Sequence, residues 1–541
     1  METTLTEVRV RTMTAAGLWR NESLETYLDR WARERPGKTA LVDGRGRHSW
    51  GALARAVERV AHGLRAHGVE PGRVISCQLP NWSEAIVMFL AALRLGAVIN
   101  PIPPTYRASE VRFMLGLLDS QVAVVPAAFR GFDHAGMLAD LRAGLPRLEH
   151  VLVARGEGPV GTTPLTVLTE QPWEARDGRQ DLPGTDANAV HEVVFTSGTT
   201  GEPKGVMHTQ NTTLSGLHRA IERLELTDRE VLLMASTVGH QTGFLFGHCL
   251  NLLLGSTTVW MDVWNVEEAA RLIEAEGVTF SIGATPFLRD LTYLETPRDC
   301  SSLRLFVSAG APIPRALVRD ARDRLGCVIS AGWGMTENGM VTCNGLRDDE
   351  EKIFGSDGSP LPGMELRIVD GDGAPVPPGV EGDLLARGAA QFVGYFQRPQ
   401  FTAEAHAGDG WFRTGDRGTL DRDGYLAITG RTKDLIIRGG ENIPVVEVEN
   451  LLYTHPKIAG VAIVAMPDPR LGERACAVVI PRPGQTITLG EIVSFLERHQ
   501  LARQKFPERL ELVSEFPTTP SGKIQKYKLR DLIAERRERP T

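Results

Sequence analysis

The sequence predicts an α/β protein: a large N-terminal domain of parallel-sheet α/β subdomains plus a β-barrel-like subdomain, followed by a small mobile α+β C-terminal domain. Three observations predict it. Short β-prone runs alternate with helical patterns through the middle of the chain, Gly and Pro cluster among alternating strands after Ser359, and the texture changes again past Arg431. At 541 residues the chain exceeds what one hydrophobic core usually serves. The domains are accordingly bounded at 1–430 and 431–541.

Taken in order, helical patterns cover 24–35, 50–67 and 83–95, the last ended by Gly96. Short strands are expected at 74–78, 122–125 and 150–154, and 100–106 is a proline-rich loop. In the middle, strands at 231–235, 279–283, 305–308 and 328–331 alternate with helices at 266–276 and 313–325. That alternation implies right-handed βαβ units and a mostly parallel sheet. Ligands of such sheets sit beyond the carboxyl ends of the strands, so the loops 284–286, 309–314 and 332–337 mark one site across three consecutive crossovers. The strands at 365–369 and 383–387 belong to the antiparallel, barrel-like part. Strands at 461–465 and 475–480 and a helix at 489–500 form the small C-terminal unit.

Composition excludes several classes of function. There are 60 Lys and Arg against 67 Asp and Glu, a net charge of −7, so no basic excess exists to neutralise nucleic-acid phosphates. Apolar residues at 42% argue against disorder. No window approaches a membrane span, the region 231–258 being the nearest but broken by Gly, His, Gln and Thr. The N-terminus lacks a secretory h-region, and the six cysteines show no CxxC or His pairing; both fit a cytoplasmic protein with reduced thiols. Residues 431–541 carry a net +4 and the rest −11, a distribution that suits a lid closing over a polyanion or simple electrostatic docking between domains.

The strongest motif is VFTSGTTGEPKG at 194–205. A strand runs into Thr196, Ser197, Thr199 and Thr200, interleaved with Gly198, Gly201 and Gly205, and then Lys204. Glycines let backbone N–H groups curl around an anion, hydroxyls add neutral donors and the lysine adds a point charge. It is no Walker A loop, because Gly205 follows Lys204. Further motifs follow in order: Ser308, Ala309, Gly310, Ala311 and Pro312; Gly332, Trp333, Gly334, Met335, Thr336 and Glu337; GWFRTGD at 410–416; GRTKD at 430–434; and PTTPSGK at 517–523. Together these resemble the signatures of the adenylate-forming superfamily, which includes acyl-CoA synthetases, nonribosomal peptide adenylation domains and beetle luciferases. Within it, His240 to Phe246 and the 100–104 segment look closest to cyclohexanecarboxylate and medium-chain acyl-CoA ligases.

The resemblance implies ATP-dependent activation of a carboxylic acid to acyl-AMP, with release of pyrophosphate, and transfer to the thiol of coenzyme A. Residues 1–430 would bind ATP and acid, and 431–541 would form the lid. Residue chemistry fits. Trp333 offers a π-face for adenine, where the family more often has Tyr, against the plainer reading of a buried core indole. Thr336 suits the α-phosphate and Glu337 suits Mg²⁺, which needs only one or two carboxylates beside phosphates. Asp416 suits the ribose hydroxyls and Arg431 offers a fork for ribose or phosphate oxygens. Lys523 is the cation expected to bridge carboxylate and α-phosphate in the transition state; Lys526 and Lys528 read as solvated charges.

By the same resemblance the small domain swings about Lys433 after adenylation, and Gly439 and Gly440 line a pantetheine tunnel. Arg438, Arg470 and Arg474 are candidates for CoA phosphates or ordinary surface charges. The acyl pocket is expected near His240, Gln241, Phe244, Gly339 and Met340, taking an apolar ring-sized, aryl or medium-chain acid. His240 either orients a carboxylate or a polar ring substituent, or has a structural role packing beside the nucleotide. Alternatives are loading of a carrier-protein phosphopantetheine, adenylation of another oxyanion such as nitrite, or an idle nucleotide sensor, the last opposed by intact Lys523, Glu337 and Asp416. A monomer or homodimer is expected, with a small-molecule acid as partner.

Overall fold

Six apolar runs, Thr39–Asp43, Thr257–Trp260, Val231–Met234, Phe280–Gly283, Leu305–Ala309 and Val328–Met335, lie side by side as parallel strands in that order in the computed structural model. The structure describes the whole chain except residues 177–180, 197–202, 297, 311–312, 439–440, 444, 520–521 and 538–541. Central strands such as Leu305–Ala309 are buried on both faces, which is why they read as unbroken apolar runs rather than alternating ones. Gly46–Ser49 closes one edge antiparallel, and Gly339–Cys343 with Ser359–Pro360 closes the other. The connecting helices carry their own start and stop signals. Asn265 accepts the Glu268 N–H at the head of Val266–Glu276, and Gly277 ends that helix in the left-handed region at φ 63°.

A second sheet holds Lys204–Thr209, Val190–Thr196, Val98–Pro101, Val74–Cys77, Val122–Pro126, His150–Ala154 and Thr163–Pro164 in that order. Only the Lys204–Thr209 strand runs antiparallel, against Val190–Thr196. The helix Ser83–Arg94 is apolar nearly all round and is buried from Ala85 to Leu93. It lies between the two sheets, sharing one core with Ile75 and Ile99 of the smaller and Leu232 and Leu305 of the larger.

Two boundaries differ from the sequence reading. The segment expected to be loop from Asn100 begins inside a strand, Val98–Pro101. Asn100 is held there by donating its amide to Val193 O (2.8 Å) and accepting from Ser76 Oγ (3.0 Å). Likewise Val328–Met335 runs on through residues expected to form a loop from Gly332. Here a Cβ on Gly334 would sit 2.2 Å from Gly339 O, so glycine is what lets the returning strand pair so closely.

The antiparallel part is a four-stranded sheet of Met364–Val369, Gly382–Gly388, Phe412–Leu420 and Leu426–Arg431. After the short turn Thr432–Asp434 comes a separate unit with strands Ile436–Arg438, Glu441–Ile443, Ile458–Asp468, Gly472–Pro481 and Arg509–Leu512. Helices Val445–Leu452, Leu489–Arg498 and Lys526–Arg537 cover it, and Ile463, Val479, Ile492 and Leu496 lie in its own core. All six cysteines are free thiols, five of them buried. Among the described residues no helix is long and apolar enough to cross a membrane.

Candidate active site

Parallel register fixes the floor of the site. Gly283, Ser308 and Ala331 are neighbours across three strands, and Ala309 pairs with Gly332. The three crossovers singled out in the sequence therefore end side by side, and Ala309, Gly310 and Gly332 share that rim. From the second sheet, Thr196 pairs with Lys204 at the mouth of the hairpin whose connection is the glycine–hydroxyl motif. Ser197, Gly198, Thr199 and Thr200 lie outside the described residues, as do Ala311, Pro312, Gly439 and Gly440.

Past Val328–Met335 the chain turns through Thr336 and Glu337. His208 donates from Nε2 to Thr336 O at 2.7 Å, with Thr212 Oγ1 3.0 Å from its other nitrogen. Burial pushes His208 down to about 4, so the ring is neutral near pH 7. Glu337 is buried, and its Oε1 accepts from the Tyr395 hydroxyl at 2.8 Å. Burial raises its pKa, and the Tyr395 hydrogen bond, Lys204 and Lys523 oppose that rise. Tyr395 reaches Glu337 because residues 393–396 run along the Lys204–Thr209 strand, with Phe396 N–H donating to Gly205 O. The Lys204 ammonium lies 5.0 Å from the Tyr395 ring centroid and 4.8 Å from that of Phe401.

Asp416 and Arg431 face each other across paired strands. Asp416 Oδ1 accepts from Arg431 Nε at 2.9 Å and Oδ2 from the Trp333 indole N–H at 2.8 Å. Trp333 is only 9% exposed and packs with Met364, Leu384 and Ala390. Its indole edge thus grips a carboxylate and its ring sits in a core cluster.

Lys523 arrives from the C-terminal unit. Residues Thr518 and Ile524 bridge, and Lys523 N–H donates to Thr519 Oγ1 at 3.1 Å, making a hairpin. Gly522, at φ 83°, abuts Ala284: a Cβ there would come 3.2 Å from the Ala284 methyl. Lys523 Cε lies 3.6 Å from where a Cβ on Gly310 would be. Burial brings the Lys523 ammonium down to about 8; Arg431 pushes the same way and Asp416 and Glu337 push back. The lysine is therefore near enough to both carboxylates and Arg431 to feel their charge. Facing it, His240 is held to about 3 by burial and by that ammonium, and its Nδ1 accepts from Thr242 N–H at 3.3 Å.

Next to His240 lies a narrow crevice of only about 10 Å³, lined by Gln241, Leu245, Gly339 and Met340 together with Thr213 and Gly216. Its wall includes the π-helical stretch Gly243–Leu250, a rare form concentrated at functional sites. Phe244 packs instead against Phe89, ring centroids 4.7 Å apart. In the C-terminal unit Lys433 lies in the Thr432–Asp434 turn. Arg438 and Arg474 both pair with Glu508, at 2.6 and 2.8 Å, while Arg470 is exposed. Lys526, expected to be solvated, is instead 14% exposed and paired with Glu449 at 2.7 Å. Glu449 also accepts from Ile463 N–H, so the pair ties the last helix to its sheet. Lys528 is exposed as expected.

Sequence reasoning passed over His208, Tyr395 and Glu192. A polar residue on an otherwise apolar strand was the available signal for His208 and Glu192; Tyr395 had none.

Residues 28–396 match the family model described as AMP-binding enzyme, and 447–523 match the AMP-binding enzyme C-terminal domain. A medium-chain fatty-acid–CoA ligase of Escherichia coli (strain K12) is 36% identical, the match covering 99% of this chain and 95% of that one. A salicylyl-CoA synthase / salicylate adenylyltransferase of a Streptomyces species is 34% identical over 96% of this chain and 95% of its own. Among solved structures, the anthranilate CoA ligase AuaEII with anthranoyl-AMP superposes with a TM-score of 0.88 at 26% identity, covering 96% of this chain and 98% of that one. The chain belongs to the AMP-binding enzymes, the adenylate-forming ligases.

Proposed function

We propose that this AMP-forming acid–CoA ligase activates an acid of ring or medium-chain size, with Lys523 as the cation at the α-phosphate. The observation carrying the reading is that Lys523, although it comes from the C-terminal unit, reaches the ends of the parallel strands, its Cε 3.6 Å from where a Cβ on Gly310 would lie and Gly522 against Ala284. On this reading residues 1–430 form the nucleotide- and acid-binding body and 431–541 the lid.

ATP lies with its triphosphate against the 194–205 motif and Lys204, and its ribose hydroxyls donate to Asp416. Each carboxylate oxygen has a second lone pair left after Trp333 and Arg431 have donated to it. The acid enters beside His240 and Gln241. One carboxylate oxygen attacks the α-phosphorus, the bond to the β-bridging oxygen breaks, and pyrophosphate leaves. The attack brings two anions together, and the Lys523 ammonium lowers that repulsion. The thiol of coenzyme A then attacks the acyl carbon and AMP departs.

Glu337 fits a magnesium ion. Its one buried carboxylate, with phosphate oxygens, meets the cation's preference for few protein ligands. Bound there, magnesium neutralises phosphate charge; Tyr395 holds the carboxylate in place and His208 holds the Thr336 carbonyl.

The test is acid-dependent AMP formation with ATP, Mg²⁺ and CoA across cyclic, aryl and medium-chain acids. Release of AMP with one of these classes and accumulation of its acyl-CoA is the expected result. No AMP with any acid overturns the reading. Replacement of CoA by a phosphopantetheinylated carrier tests the other thiol acceptor in the same assay.

A further inference from the structure

Residues 389–396 are buried throughout, yet they form no helix and, apart from one bridge at Tyr395, no strand. A buried segment without regular structure cannot satisfy its own backbone, so its partners show what it serves. Its N–H groups face the site. Phe392 N–H donates to Glu337 O at 2.7 Å, and Val393 and Phe396 N–H donate to Met207 O and Gly205 O of the Lys204–Thr209 strand. The Tyr395 hydroxyl adds its bond to the Glu337 carboxylate. One segment therefore holds Glu337 at both its carbonyl and its side chain.

The carbonyls of the same segment are taken by the first nineteen residues of the chain. The Trp19 indole N–H donates to Ala389 O at 3.0 Å and Thr4 N–H to Val393 O at 2.8 Å. Between them the Arg9 guanidinium donates to Gln391 O and, at 3.3 Å, to Phe392 O. Arg9 also lies over the Trp19 ring, 5.4 Å from its centroid. The helix that carries Arg9, Glu7–Ala15, buries none of its residues, so donors rather than an apolar face fasten it. Burial brings the Arg9 guanidinium down to about 10, which leaves it charged at neutral pH, and bonds from a charged donor are the strong ones. Beyond the burial that keeps His208 neutral, the Arg9 charge pushes that ring the same way, so the guanidinium is near the imidazole that holds Thr336 O.

We propose that Arg9 is a positioning residue for magnesium binding: by fixing the Gln391 and Phe392 carbonyls it fixes the segment that sets Glu337 in place. The inference rests on the reading above that puts magnesium at Glu337. Arg9 itself touches neither ion nor substrate.

Metal affinity tests this apart from turnover. Mn²⁺, standing in for Mg²⁺, is titrated into enzyme held in excess over ATP without acid, and free ion is read from its paramagnetic resonance signal. Removing a direct partner of a metal ligand costs about 10- to 100-fold in affinity; Arg9 acts one link further out, so Arg9→Met should cost about three- to ten-fold. Affinity for ATP without metal should be nearly unchanged, and an equal loss of both would overturn the inference by showing a general loss of folding. Wild-type Mn²⁺ affinity in Arg9→Met, where Glu337→Gln weakens it, would overturn the inference and leave the magnesium placement intact. Unchanged affinity in Glu337→Gln would overturn both. A wild-type measurement stands even if the variant folds poorly, because the coupling is reciprocal. Adding Mg²⁺ to the ATP-bound enzyme should slow amide hydrogen exchange across residues 6–15 as well as 389–396, and unaltered exchange across 6–15 would overturn the inference.

Discussion

Burial shifts the ionisable groups near Lys523 in opposite senses, amines and imidazoles downward and carboxyls upward. Lys523 is brought down to about 8 and Glu192 is pushed up to about 8. For Lys523 the shift is a desolvation penalty on its charge that nucleotide phosphates would offset. For Glu192 it costs stability. A carboxyl with a raised folded pKa binds its proton more tightly in the native state, so the penalty is absent well below 4.5 and grows as pH rises from there toward about 8. Glu192→Gln should thus be no more stable than the wild type near pH 4. Its advantage should grow with pH by at most about 1.4 kcal/mol per unit. Urea unfolding at a series of pH values checks this, and a pH-independent difference would contradict it. At this scale the sequence was legible only in part. Asp416 and Trp333 were recognisable by motif, but the indole N–H bond between them was not, because no spacing rule joins residues 83 apart. Glu192 was passed over because an acidic residue on a strand ordinarily faces water.

Elements were legible where pattern and punctuation agreed. Val266–Glu276 and His150–Ala154 fall where periodicity put them, and the parallel strands stood out as short apolar runs. The π-helical wall Gly243–Leu250 was not legible, since its residues are nearly all apolar and carry no period to read. Gly243 hints at it only in hindsight: a Cβ there would lie 2.1 Å from Thr237 O. The hairpin that delivers Lys523 depends on glycine too. Gly522 combines φ 83° with contact against Ala284. Gly522→Ala should therefore slow acyl-AMP formation by roughly ten-fold, the equivalent of about 1.4 kcal/mol of misplacement. Thioester formation from supplied acyl-AMP should fall much less. Single-turnover measurement of the two steps distinguishes them, and equal losses would argue that the hairpin serves folding alone.

The site is built by four separate units. One sheet supplies the rim from Gly283 to Glu337, the second supplies Lys204 and Thr196, and the C-terminal unit supplies Lys523, while Asp416 and Arg431 come from the antiparallel part. Motif order along the chain was enough to announce this chemistry, yet it could not say that Tyr395 closes onto Glu337 or that His208 holds the Thr336 carbonyl. Those facts follow from tertiary packing between units distant in sequence. The same construction makes the central claim separable from folding. With Lys523 replaced by alanine, acid-dependent pyrophosphate release should be lost, while CoA thioester formation from purified acyl-AMP stays within a few-fold of wild type. An equal fall in both half-reactions, or pyrophosphate release that survives, would contradict the account.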